Sequence, residues 1–212
     1  QPGFFGGFPG RSFDPLFVLR DPNSKDFGVP ELTLRTGVSA RRLATRRQLY
    51  EDLNRRAGLG NGDRATGAMN SFQAKALDLL TSATTQRAFR IDEESAATRD
   101  SYGRNIYGQS TLLARRLIEA GTRLVTLAWA PDANATWDTH GNNFGRLKGS
   151  LLPQFDAAAS SLIADLEQRG LLERTVVGIF GDFGRTPKIN PKAGRDHWNF
   201  CYSLMMVGGG FG

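Results

Sequence analysis

At 212 residues, with 40% hydrophobic and 23% charged side chains, the chain has the length and balance of one soluble globular domain, or of one domain with a small appendage. No run approaches the roughly 18 apolar residues of a membrane span, and the single cysteine, Cys201, excludes a disulfide framework. Much of the +6 net charge gathers in Arg35, Arg41, Arg42, Arg46, Arg47, Arg55, Arg56 and Arg64, a stretch without interleaved aromatics or a nucleic-acid motif. It reads as the solvated face of a helix, and nucleic acid is not an expected partner.

Residues 1–38 are rich in Gly, Pro and Phe and read as an irregular segment, with Phe4, Phe5, Phe8, Phe13 and Phe17 laying it over a larger body. Both ends of the chain read as cut, so the lack of a leader assigns no compartment. Residues 39–122 form a helical part. Ser39 is the expected N-cap of a helix through about Arg56, stopped by Gly58 and Gly60. A second helix is expected over Ser71–Leu80. A third runs from about Tyr107 to Ala120, burying Leu112, Leu113 and Leu117 and ending at Gly121.

Residues 123–212 change character, although the whole chain reads as one domain. Arg123–Trp129 is an apolar run of strand length. A helical stretch from about Asn143 to Arg169 follows, with Leu147, Leu151, Phe155, Ala159, Leu162, Ile163 and Leu166 on one face and Pro153 as a kink or split. Thr175–Phe180 and Tyr202–Val207 are further strands, and Cys201 beside the last is expected to be a buried thiol. Strand, helix, strand predicts a βαβ unit. Nearly continuous apolar strands suit a parallel sheet covered on both faces.

Both histidines sit in Asp-containing loops: Trp137-Asp138-Thr139-His140-Gly141 and Gly194-Arg195-Asp196-His197-Trp198, with Gly181-Asp182-Phe183-Gly184-Arg185 between them. Imidazole and carboxylate are the usual ligands of zinc and similar divalent ions. Asp138 and His140 are two residues apart, so an extended loop points both side chains the same way. Asp138 and Asp182 also follow the carboxyl ends of successive strands, where α/β sheets bind ligands. Taken alone, Asp138 reads equally well as a helix cap and His140 as a hydrogen-bonded polar group. Arg185 and Arg195 share these loops; a guanidinium suits a phosphate or sulfate oxygen, and an ion pair with Asp182 or Asp196 is the plainer reading of each. Trp137, Trp198 and Phe200 read either as a pocket wall or as packing beneath the loops.

Other signatures fail. Asp182-Phe183-Gly184 lacks the Gly-rich loop, strand lysine and catalytic loop of a kinase, and neither a G-x-S-x-G elbow nor an H-E-x-x-H helix is present.

Trp137–Phe144, Gly170–Thr175, Gly181–Asn190 and Gly194–Trp198, in this order, resemble the domain-of-unknown-function family DUF1501, and Asp21–Asn23, Leu77–Leu80 and Tyr107–Ser110 extend the likeness over nearly the whole chain. The resemblance implies the alkaline phosphatase and sulfatase superfamily: an α/β three-layer sandwich with a mainly parallel sheet, acting on a small or polymeric anionic ester. It implies a divalent metal (zinc, calcium or manganese) on Asp138, His140, Asp182 and His197, with Arg185 and Arg195 binding substrate, in an exported or periplasmic protein. The chain departs from the superfamily pattern in three ways. Phe183 stands where a histidine usually follows the later Asp, removing one ligand of a two-metal site. The Asp-x-His spacing is tighter than usual, and the superfamily's Ser or Thr nucleophile lies near a first strand upstream of these residues. Two expectations follow: a metal-dependent hydrolase-like domain, or a non-catalytic exported binding or scaffold protein of the same fold.

Overall fold

A computed structural model describes residues 5–8, 10, 13–32, 37–56, 74, 76–129 and 137–210. The chain forms two compact units, Gln1–Arg20 with Asp26–Arg90, and Asp21–Lys25 with Ile91–Gly212. Among the described residues, no helix is long and apolar enough to cross a membrane.

In the first unit, α1 (Ala40–Arg56) starts where the sequence places it, because Ser39 Oγ accepts from the Arg42 amide at 3.2 Å. Its arginines face solvent, and Arg47 pairs with Glu51 at 2.9 Å and Asp78 at 2.8 Å. The stop expected at Gly58 and Gly60 lies outside the described residues, as does the start at Ser71; residues 76–81 are helical. Ser82 then caps α2 (Ala83–Ala88) by accepting from the Thr85 amide. Of the five phenylalanines expected to fasten the N-terminal segment, Phe5 and Phe17 meet edge to face, Phe8 and Phe13 are exposed, and Phe4 is not among the described residues.

The second unit carries the site. Ser95 caps α3 (Ala96–Ser101), and Asn105 caps α4 (Ile106–Glu119) by accepting from the Tyr107 and Gly108 amides, both at 3.0 Å. Leu112 and Leu113 of α4 are buried, as predicted. The long helical stretch is real but built in three parts: α5 (Asn143–Arg146), a π-helical turn (Leu147–Leu151) and α6 (Leu152–Gln168). Pro153 explains the seam. It has no N–H to donate back to residue 149, and the wide turn just before it absorbs the lost bond without breaking the helix. Gly170, at φ 63°, ends α6, and the Leu171 amide closes the last turn on the Leu166 carbonyl at 2.8 Å.

α4 packs on α6 through an ionic cluster inside the apolar contact. Arg115, 1% exposed, lies 2.8 Å from Asp165 and 2.9 Å from Glu94, and it donates to Glu119 at 2.7 Å. The first two contacts are ion pairs by distance, with angles outside hydrogen-bond geometry. Tyr102 donates to Asp165 at 3.0 Å, Arg169 joins Asp165 and Glu119, and Arg116 pairs with Glu94. Burial alone would raise the Glu94 and Asp165 carboxyls, but the guanidiniums hold both below the ordinary carboxylate value: Arg116 and Arg115 at Glu94, Arg169 and Arg115 at Asp165.

The strands are β1 (Val176–Phe180), β2 (Gly184–Arg185), β3 (His197–Trp198) and β4 (Leu204–Gly208). The fold is mixed α/β, but the expected parallel pairing is not what these strands do. β1 pairs antiparallel with β4, Val176 opposite Gly208 and Phe180 opposite Leu204, and β2 pairs antiparallel with β3. The reason is connectivity. Parallel neighbours need a crossover that returns the chain to the same end, whereas residues 181–203 fold back as loops and the short β2–β3 ladder. Leu124–Trp129 alternates exposed and half-buried residues, yet it joins no ladder among the described residues. Nor are the strands covered on both faces: β1 alternates, Phe180 is 74% exposed, and Cys201 is exposed rather than buried.

Arg115→Ala leaves Asp165 and Glu94 buried with fewer cations. We expect it to lower the unfolding free energy by about 3–5 kcal/mol, read from urea melts; a loss under about 1 kcal/mol would show the cluster to be energetically neutral.

Candidate metal centre

The site lies where two loops of the second unit meet. Residues 137–143 run into the start of α5, and residues 190–197 lie across them. The backbone makes the joint: Asn142 N donates to Lys192 O at 3.0 Å, Asn143 N to Ala193 O at 2.9 Å and Arg195 N to Thr139 O at 3.1 Å. Gly194 permits the approach, since a Cβ at this position would strike the His140 carbonyl and the Gly141 amide. Asn190 secures it with all of its amide groups. Its Oδ1 accepts from the Lys192 and Gly194 amides at 2.9 Å, and its Nδ2 donates to His140 O at 3.0 Å and Asp196 Oδ1 at 3.1 Å.

Beneath the first loop, Trp137 packs against Trp129 and Phe155, with ring centroids 6.3 and 5.9 Å away, and Tyr107 stacks on Trp129 at 4.5 Å. Thr139 is 1% exposed and donates its hydroxyl to Asn143 Oδ1. With its flanking residues 137 and 139 packed down, the loop presents Asp138 and His140 together at the surface.

There the two histidines, 57 residues apart in sequence, bring their Nε2 atoms to 3.1 Å. Asp138 Oδ1 completes the triangle at 3.0 Å from His140 Nε2 and 2.9 Å from His197 Nε2. Among the described residues, these three are the group of ligand atoms, within 4.8 Å of one another, that could hold one metal ion. Asp182 follows β1 as expected but does not belong to the group. Asp196 stands behind it instead, with Oδ1 2.8 Å from His140 Nδ1. All of these side chains are between a third and just over a half exposed, so the cluster opens to solvent.

The cations are placed unequally. Arg185 Nη2 donates to Asp138 Oδ1 at 2.5 Å and to Trp137 O at 3.1 Å, and Nη1 donates to Arg195 O at 3.1 Å. It pairs with neither Asp182 nor Asp196; it clasps both loops. Arg195 sits 5.4 Å over the Phe144 ring, and its buried Nε has no hydrogen-bond partner among the described residues. The hydrogen bond from His197 and the guanidinium of Arg185 depress the Asp138 carboxyl to about 2. His140 and Asn190 hold Asp196 below the ordinary value. Phe183 lies against His197, with centroids 4.3 Å apart, and Phe200 meets Trp198 at 5.8 Å.

Residue order alone did not reveal Asn190 as the joint or Asp196 as the partner of His140. The Asn190-Pro191 pair, a turn-initiating dipeptide, is the one local signal that pointed to the first.

Residues 3–211 match the family described as Protein of unknown function (DUF1501), and the chain belongs to it. No curated protein and no solved structure matches the chain.

Gly194→Ala is expected to push the loops apart, costing about 1–3 kcal/mol and shifting the ring resonances of both histidines; an unchanged melt and unchanged rings would refute the tight joint. Acid should test Asp138 separately. Its carboxyl is depressed from about 3.9 in an unfolded chain, so it stabilises the fold above about pH 4, and that contribution is lost as pH falls toward about 2. Asp138→Asn should therefore flatten the acid limb of the stability curve in that window and leave its shape above pH 5 alone, as followed by circular dichroism.

Proposed function

We propose that this DUF1501 member is a metal-dependent hydrolase-like domain that acts on or binds phosphate or sulfate esters, with a divalent ion held by Asp138, His140 and His197. The supporting observation is the triangle of Asp138 Oδ1, His140 Nε2 and His197 Nε2, with edges of 2.9–3.1 Å. Atoms spaced in this way can all lie about 2.0–2.2 Å from one ion, the bond length of zinc to nitrogen and carboxylate oxygen. A set of three protein ligands opening to solvent leaves room for water or substrate, as catalytic sites do and closed structural sites do not.

A bound ion would supply Lewis acidity to an ester oxygen and lower the pKa of a bound water. The chain's own residues do the rest. Arg185 keeps Asp138 ionised and joins the two loops. Its donors are turned inward, so Arg195, whose guanidinium lies over Phe144 and forms no ion pair among the described residues, is the better-placed group for the ester's anion. Asp182, one step further along the loop after β1, remains a group that could approach with substrate. The finer fold of this reading is the three-layer sandwich, in which Leu124–Trp129 would add a parallel partner to β1; its alternating exposure favours a strand. The same reading places the protein outside the cytoplasm.

A second reading, a non-catalytic binding or scaffold protein of the same fold, is favoured by Phe183, whose ring covers one side of His197. The two readings part on turnover. Zinc, manganese and calcium titrations followed by elemental analysis should find one ion per chain with at least one of these metals. His140→Ala and His197→Ala should weaken binding by about 10-fold or more, with Asp182→Ala unchanged. Hydrolysis of aryl phosphates or sulfates abolished by chelation supports the hydrolase, and bound metal without turnover supports the scaffold. No bound metal overturns the site itself.

A further inference from the structure

We infer that Asp196, held by Asn190, is a positioning residue that fixes the tautomer of His140 and thereby fits the site to a nitrogen-binding transition ion such as zinc rather than to calcium. This inference rests on the metal reading above and concerns residues outside its ligand set.

The argument begins with protons. A neutral imidazole carries one N–H and one lone pair, and the partner of one nitrogen decides which role the other takes. His140 Nδ1 faces Asp196 Oδ1 at 2.8 Å. An ionised carboxylate only accepts, so Nδ1 must be the donor, and the lone pair of His140 then falls on Nε2. This is the atom that faces His197 Nε2 at 3.1 Å and Asp138 Oδ1 at 3.0 Å. Without a metal this lone pair can only accept from the His197 Nε2–H; with one, it points at the space the ion would share with Asp138 Oδ1.

Asp196 is itself held on three sides. Asn190 Nδ2 donates to the same oxygen, Oδ1, at 3.1 Å; Thr186 Oγ1 accepts from the Asp196 amide at 3.1 Å; and the Asp196 carbonyl accepts from the Thr186 amide at 2.9 Å. Asn190 also grips the His140 carbonyl, so the carboxylate and the ring it orients are fixed to one frame. Such a carboxylate–histidine pair raises the basicity of the metal-facing nitrogen. Calcium gains little from this, because it takes six to eight oxygen ligands at about 2.3–2.6 Å, and this group offers two imidazole nitrogens and one carboxylate oxygen. Zinc, cobalt(II) and their neighbours in the d-block bind imidazole well.

The test uses the intact chain and has a readout without metal. Long-range proton–nitrogen NMR should find neutral His140 as the Nδ1–H tautomer in the wild type and as a mixture, or as Nε2–H, in Asp196→Asn. Asp196→Glu should restore the wild-type pattern in part, and thermal melts should confirm that both variants are folded. Zinc affinity should fall about 10- to 100-fold in Asp196→Asn. Calcium in roughly thousand-fold excess should leave the visible spectrum of the cobalt(II)-loaded wild type unchanged. An Nε2–H tautomer in the wild type, unaltered zinc affinity in a folded Asp196→Asn chain, or displacement of cobalt by calcium would each overturn the inference and leave the three-ligand site standing. A correct tautomer in a chain that binds no zinc or cobalt would instead overturn the metal reading, and the ion preference with it.

Discussion

The site depends on one close approach of backbone to backbone. Gly194 lies against the His140–Gly141 peptide, and three main-chain hydrogen bonds from Asn142, Asn143 and Arg195 seal the contact. Side-chain chemistry at the surface could not hold two imidazoles together this way, because exposed polar pairs contribute little against the entropy of ordering them. The order comes from the main chain below. Given the joint, Asp138, His140 and His197 have little choice but to converge, and Asn190 and Arg185 add side-chain bonds across the same seam.

The joint is anchored by a strut. Residues 143–168 form one helical path whose first residue, Asn143, accepts the Thr139 hydroxyl at the site, while Asp165 near its far end takes Arg115, Tyr102 and Arg169. A strain that moved α6 against α4 would have to break a buried ionic cluster, and the same rigid element would carry the motion to Thr139. The π-helical turn at Leu147–Leu151 is the one irregularity along this path. It lies next to Pro153, which accounts for it without any appeal to flexibility.

What the sequence made legible was local. Caps such as Ser39, stops such as Gly170 and the pairing of Asp138 with His140 on one side of a loop follow from rules that span a few residues. The strand pairing was not legible, because the direction of a ladder is decided by what connects two strands. The apolar runs at Thr175–Phe180 and Tyr202–Val207 look the same whether they pair parallel or antiparallel. Their apolar character also misled about burial: Phe180 and Cys201 are exposed among the described residues. The outlying position of Asp182 and the supporting place of Asp196 were equally out of reach. Both are aspartates in glycine-bearing loops, and only the fold of residues 190–197 over residues 137–143 tells them apart.

Arg185 sharpens the chemistry. Its position in a loop beside acidic residues suited either an anion clamp or a simple ion pair, and the geometry shows a third use, in which one guanidinium binds Asp138 and the carbonyls of both ligand-bearing loops. A group so engaged cannot turn to a substrate without releasing the carboxylate that completes the triangle. Arg195 is set differently: its guanidinium lies 5.4 Å over the Phe144 ring, and its buried Nε has no hydrogen-bond partner among the described residues. The two arginines thus have different settings, one clasping both loops and one lying over Phe144, a difference that their similar places in the sequence do not reveal.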